Sequence, residues 1–101
     1  MTATIWKFAL NPQERQDISV IDHHVGPAIH AGTDPAGALC VWAEVRPMQP
    51  DQRSRAVLEV YVLGTGHDMP LAVSAHRARH VGSAVVDGDF VFHVYAEEAT
   101  R

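Results

Sequence analysis

The sequence predicts an all-β fold: a small antiparallel sandwich or partly open barrel of six to seven strands, with at most one short helical turn. Three observations carry this expectation. Apolar residues alternate with a period of two in segment after segment, the repeat of a strand that turns one face to a core. Gly, Pro, Asn and Asp separate these segments, and six prolines interrupt the chain before a long helix can form. No stretch offers the dozen or so residues that a parallel crossover needs, so neighbouring strands run antiparallel. At 101 residues the chain reads as a single β domain spanning 1–101.

TIWKFAL, at 4–10, places Trp6, Phe8 and Leu10 on one face with Lys7 opposite, and Asn11-Pro12 stops it. QDISVID, at 16–22, sets Ile18 beside Val20, and GPAIHAG, at 26–32, is a short extended piece ending in a TDPAG turn. In ALCVWAEVR, at 38–46, Leu39, Val41, Ala43 and Val45 form an apolar face with Cys40, Trp42, Glu44 and Arg46 behind; PMQP breaks it. RAVLEVYVLG, at 55–64, is apolar on Ala56, Leu58, Val60 and Val62 and partly on the reverse through Val57, Tyr61 and Leu63. Two apolar faces mark a central strand. In PLAVSAHRA, at 70–78, Leu71, Ala75 and Ala78 recur at helical spacing, so one helical turn competes with irregular loop.

The last two segments read as a hairpin. Asp87-Gly88 between β-rich runs favours a two-residue type I′ turn, whose twist matches that of the flanking strands. Val86 then faces Asp89, Val85 faces Phe90, Ser83 faces Phe92 and Val81 faces Val94, giving a core face. His80, Gly82 and Ala84 lie on the opposite face against Tyr95, His93 and Val91. His80 and His93 become diagonal neighbours, with Gly82 across from His93 leaving room for the imidazole.

The formal charge of -4 and the scattered Arg53/Arg55 and Arg77/Arg79 pairs exclude a general phosphate-backbone binder, which requires clustered cations. Cys40 is the single cysteine, so no intrachain disulfide forms and nothing points to an oxidising compartment. The N-terminal segment lacks the features of a signal peptide, and no run is long and apolar enough to span a membrane. A cytoplasmic location without membrane contact is the expectation.

Seven histidines are the most unusual feature: His23, His24, His30, His67, His76, His80 and His93. None sits in a close metal-ligand motif, so a metal site requires convergence of His80 and His93 with His67 or His30. No metal is assigned and no cofactor is expected. The GTGH stretch, 64–67, could hold an anion on its backbone N–H groups, but no helix follows and the fuller phosphate-loop pattern is missing. The simpler reading gives Gly64 and Gly66 conformations barred to larger residues, with His67 bonding across the bend. Cys40 reads as a packed thiol, Ser54, Ser74 and Ser83 lie in no nucleophile elbow, and Asp22, Asp68, Asp87 and Asp89 read as turn formers. Nothing requires an enzyme. Candidate ligand-binding residues are therefore Thr65, His67, His93, His30 and His80.

IWKF at 5–8, IHAG at 29–32, CVWAEV at 40–45, GTGHDMP at 64–70, HVGS at 80–83 and FVFHV at 90–94 occur in that order. Together they resemble a family of short uncharacterised proteins of tailed bacteriophages and prophages. The matching positions include Trp6, His30, Trp42, Gly64, Thr65, Gly66, His67, Phe90 and His93; AVSAHRARH, longer and more basic, departs from the pattern. The resemblance implies a phage origin and action in a bacterial cytoplasm, and carries no catalytic role. The leading expectation is a non-catalytic accessory protein that acts by binding a bacterial host or immune protein, with inhibition of that protein as one form of the binding. Alternatives are a small-ligand protein, either a nucleotide sponge or a metal-dependent enzyme using His30, His67 and His93, and a minor virion or assembly component. An exposed strand edge also permits a homodimer.

Overall fold

A computed structural model describes residues 2–12 and 15–101. In chain order the elements are β1 (Thr4–Ala9), β2 (Arg15–Ile18), β3 (His23–Thr33), β4 (Leu39–Pro47), β5 (Ala56–Gly64), α1 (Leu71–Ser74), β6 (Arg79–Val86) and β7 (Phe90–Thr100). They form two sheets, β1-β4-β3 and β2-β5-β7-β6, in which every neighbouring pair is antiparallel. The all-β expectation holds, as an open two-sheet arrangement rather than a closed barrel.

The alternation of β4 builds one wall of the core: Leu39, Val41, Ala43 and Val45 are buried against Leu58, Val60, Val62, Val94 and Ala96 of the second sheet. β5 lies between β2 and β7 and is buried on both faces, as its two apolar sides predict. β3 is longer than the expected piece at 26–32, and register shifts between Val25 and Ala28 and between Ala28 and His30 bend it. These irregularities accommodate Pro27, which has no N–H for a ladder and sits on an edge strand. On β1, Phe8 packs on the core and Leu10 is buried, while Trp6 stays 39% exposed. Its ring lies 5.6 Å from that of His23 and 6.3 Å from that of Phe8.

A second apolar cluster covers the outer side of β5, where Tyr61 and Leu63 meet Ala72, Val73 and Ala78, with Tyr95 packed alongside. The helical stripe read from the sequence is not the buried one: Leu71 is 70% exposed, and Ala75 is exposed too. The helix stops at Ser74, and His76 takes a left-handed φ of 62°. Ala78 then returns to donate its N–H to Ala72 O at 2.9 Å, outside the helical repeat. Spacing across 71–78 therefore carries no information about a common face.

The closing hairpin departs from the expected register by one residue. Val86 pairs with Phe90, Val85 with Val91, Ala84 with Phe92, Ser83 with His93 and Gly82 with Val94, so the loop comprises Asp87, Gly88 and Asp89. Asp87 and Gly88 do take the positive φ values, 55° and 77°, of the expected turn; Asp89 is the extra residue. On β7 the faces are as expected, with Val94 buried and Phe92 packed on the core. On β6 the slip turns Ser83 and Val85 outward and Gly82 and Ala84 inward. Gly82 does not lodge His93; it presses on β3, where a Cβ would collide with the carbonyl oxygen of Ala31. A bulge at Val81 then returns His80 to the outer face, opposite Tyr95.

Candidate functional site

The outer face of β6 and β7 carries a continuous string of hydrogen bonds. At the end of β5, Thr65 is held by its own N–H, which donates to Val91 O at 3.1 Å, and Gly66 turns the chain with φ +91°. Thr65 Oγ1 shares a hydrogen bond of 2.8 Å with His93 Nε2. His93 Nδ1 lies 2.7 Å from Ser83 Oγ, and Ser83 Oγ lies 3.0 Å from His80 Nε2. The His80 ring meets Tyr95 edge-on at 5.2 Å. Directly paired strand positions thus place Ser83 against His93 and His80 against Tyr95.

Neutral imidazole carries one donor and one acceptor nitrogen, so the string has two self-consistent proton arrangements. In one, His80 donates to Ser83, Ser83 to His93 and His93 to Thr65. In the other every bond reverses. One extra proton on either histidine is also accommodated, since a cationic ring donates from both nitrogens while Ser83 donates to the other. In each of these arrangements the serine hydroxyl has an imidazole nitrogen to take its proton.

Two open clefts flank the string. One, of about 290 Å³, is bounded by Leu63, Thr65, His67, Met69, His93 and Tyr95. The other, of about 420 Å³, lies between the α1 segment and β6, where Ser74, His76, Arg79 and His80 face Met69 and Tyr95. Arg79 is engaged with the carbonyl of Ala28 and Arg77 pairs with Glu97 at 3.6 Å, so the polar groups left facing this second cleft are largely imidazole and hydroxyl.

Of the residues anticipated from sequence, Thr65, His93 and His80 come together. His67 stands beside them, with its backbone N–H donating to Gly64 O at 3.1 Å and its ring against Gly64. A Cβ at Gly64 would lie 3.0 Å from His67 Cε1, so this glycine provides space for the ring rather than an unusual φ. His67 makes no side-chain bond across the bend among the described residues. His30 lies elsewhere: its neighbour Ala31 faces the core, and His30 packs on Trp42 of the other sheet at 5.3 Å. Among the described residues no group of three or more His, Cys, Asp or Glu is arranged to hold a metal ion. His24 is buried and structural, bonding Gln52 Oε1 at 2.9 Å and accepting the Ala56 N–H at 3.0 Å. Cys40 is buried as well, and burial, followed by the nearby Asp34 carboxylate, pushes its thiol pKa up.

Ser83 is the member that sequence reasoning missed, because the two-residue loop assigned it to the core opposite Phe92. Asp89 following Asp87-Gly88 was the available signal, since three-residue hairpin loops are the next commonest class.

Fold and site together define a small two-sheet antiparallel β domain with an exposed hydroxyl–histidine string on one sheet. The chain belongs to the family described as a domain of unknown function, DUF7352, which matches residues 1–101. No curated protein and no solved structure matches it. Among the described residues no helix is long and apolar enough to cross a membrane.

Proposed function

We propose that this is a phage- or prophage-encoded accessory protein that acts by binding, engaging a bacterial host protein in the cytoplasm through the outer face of β6 and β7. The observation that carries the reading is a bare apolar patch contiguous with the polar string. Val85 and Val91 pair across the hairpin on this face and are 55% and 37% exposed. The α1 segment covers the β5 half of this sheet face and leaves the hairpin half open. Apolar side chains beside convergent hydroxyl and imidazole groups suit a protein interface with an apolar centre and a polar rim. The motif resemblance supplies the phage setting, and inhibition of a host defence protein is the form of binding that suits it.

The test is affinity capture from bacterial lysate with wild type, Val91→Asp and Ile5→Asp, the last altering an exposed residue of the other sheet. A partner retained by wild type and Ile5→Asp but lost with Val91→Asp supports the reading. Equal capture by all three, or none by any, refutes it. A second reading is favoured by the clefts beside the string: a small ligand, such as a nucleotide, held by Thr65, His93 and His80. A thermal-shift screen against nucleotides discriminates it, because that ligand would stabilise Val91→Asp as well as wild type.

A further inference from the structure

From the geometry around Ser83 we infer that this side chain is a histidine-activated nucleophile, able to accept an acyl group from an ester with a good leaving group. The inference goes beyond the binding reading and stands without it. Nucleophilic catalysis requires a hydroxyl bonded to a base, and the base oriented by a third group. Here Ser83 Oγ is 2.7 Å from His93 Nδ1, and His93 Nε2 is held by Thr65 Oγ1 at 2.8 Å. His80 Nε2, at 3.0 Å from Ser83 Oγ, is a second imidazole on the same oxygen. Ser83 is exposed, and its partner His93 lines a cleft with Tyr95, Leu63 and Met69 that can seat an aryl or acyl group.

In the reaction Ser83 Oγ attacks the ester carbonyl carbon and its proton passes to His93 Nδ1. Collapse of the tetrahedral intermediate breaks the bond to the aryl oxygen, and the departing aryloxide takes that proton. Water then hydrolyses the acyl-serine with the same nitrogen as base. Thr65 is a positioning residue that fixes the ring.

The geometry also limits the rate. Two backbone donors of the adjoining turn are already used, the Thr65 N–H on Val91 O and the His67 N–H on Gly64 O. His80, bonded to Ser83 Oγ, is the side-chain donor placed for the oxyanion, and a site short of one donor loses about 10²–10³-fold in rate. Acylation is therefore confined to activated aryl esters, and the acyl-serine persists long enough to be weighed.

The experiment treats the full chain with p-nitrophenyl acetate, follows p-nitrophenolate release, and maps acetylation by peptide mass spectrometry. The expected result is one acetyl group on Ser83, absent in Ser83→Ala and slowed by about 10²-fold or more in His93→Gln. Thr65→Val slows Ser83 acetylation and Thr65→Ser restores it. The urea-denatured wild-type chain, which needs no variant to fold, leaves Ser83 unlabelled. Acetylation confined to lysine or terminal amines, an unchanged Ser83 rate in His93→Gln, or equal Ser83 labelling in the denatured chain would each overturn the inference.

Discussion

Gly82 gives the sharpest test of how the two sheets meet. Replacing a strand glycine by alanine ordinarily stabilises a protein by about 0.4–1 kcal/mol, because the unfolded chain loses freedom. At Gly82 the sign reverses. An added Cβ would collide with the Ala31 carbonyl oxygen and also lie 3.2 Å from its carbon and 3.3 Å from its Cβ. Those are backbone or buried atoms of β3 that no rotamer change can move, so relief requires separating β3 from β6. Overpacking of this kind costs about 1–3 kcal/mol, and three tight contacts with one residue place it near the upper end. Offset by the entropic gain, Gly82→Ala should destabilise by about 2 kcal/mol. In a domain of this size each kcal/mol moves the melting temperature by about 4–8 °C, so the drop is about 8–16 °C. Gly26→Ala is the matched control, since its Cβ would meet Glu44 only at 3.6 and 3.7 Å, and it should leave stability unchanged or slightly raised. Thermal and urea unfolding followed by circular dichroism measure both. Gly82→Ala melting at or above wild type would refute the β3–β6 contact and the register that sets it.

Other substitutions probe separate layers of the structure. Leu58 is fully enclosed in the core, so Leu58→Ala should cost about 2–5 kcal/mol in urea unfolding. Gly88 has φ +77° with open space around it, so Gly88→Ala should cost about 1 kcal/mol through backbone strain alone, with no change in fold by circular dichroism. Glu59 accepts a hydrogen bond from Arg101 at 2.7 Å and pairs with Arg15 at 3.2 Å. The Arg101 hydrogen bond holds its carboxyl below the ordinary glutamate value. A depressed folded-state pKa stabilises the fold above the unfolded value, about 4.3, and that contribution is lost as pH falls through the folded value. Urea midpoints across this acid range should therefore fall less steeply in Glu59→Gln than in wild type.

How much of the molecule could be read from residues alone differs between elements for physical reasons. The inner face of β4 and the double-sided burial of β5 follow from alternation over nine residues, a signal repeated often enough to survive any detail of packing. The α1 segment was ambiguous because one turn of helix has too few residues to establish a period, and tertiary contacts chose Ala72, Val73 and Ala78 for burial instead. His67 stands at a bend, but its relation to Gly64 depends on a ring lying against a missing side chain rather than on φ. Residue type alone groups His30 with His67 and His93. Alternation about the inward Ala31 sends it to the outside of the other sheet.

Local chemistry determined the β class, the strands that carry the core and the place where the chain reverses before Phe90. Tertiary structure decided which side of β6 is the inside. Two competing registers differ by a single residue, and each presents a plausible alternating pattern, so propensity cannot separate them. The contact with β3 can: only a residue without a Cβ fits against the Ala31 carbonyl, which turns Gly82 inward and leaves Ser83 outside between His80 and His93. That choice rests on a steric contact between residues fifty-one positions apart in sequence, from Ala31 to Gly82, and it is therefore invisible until the sheets are brought together.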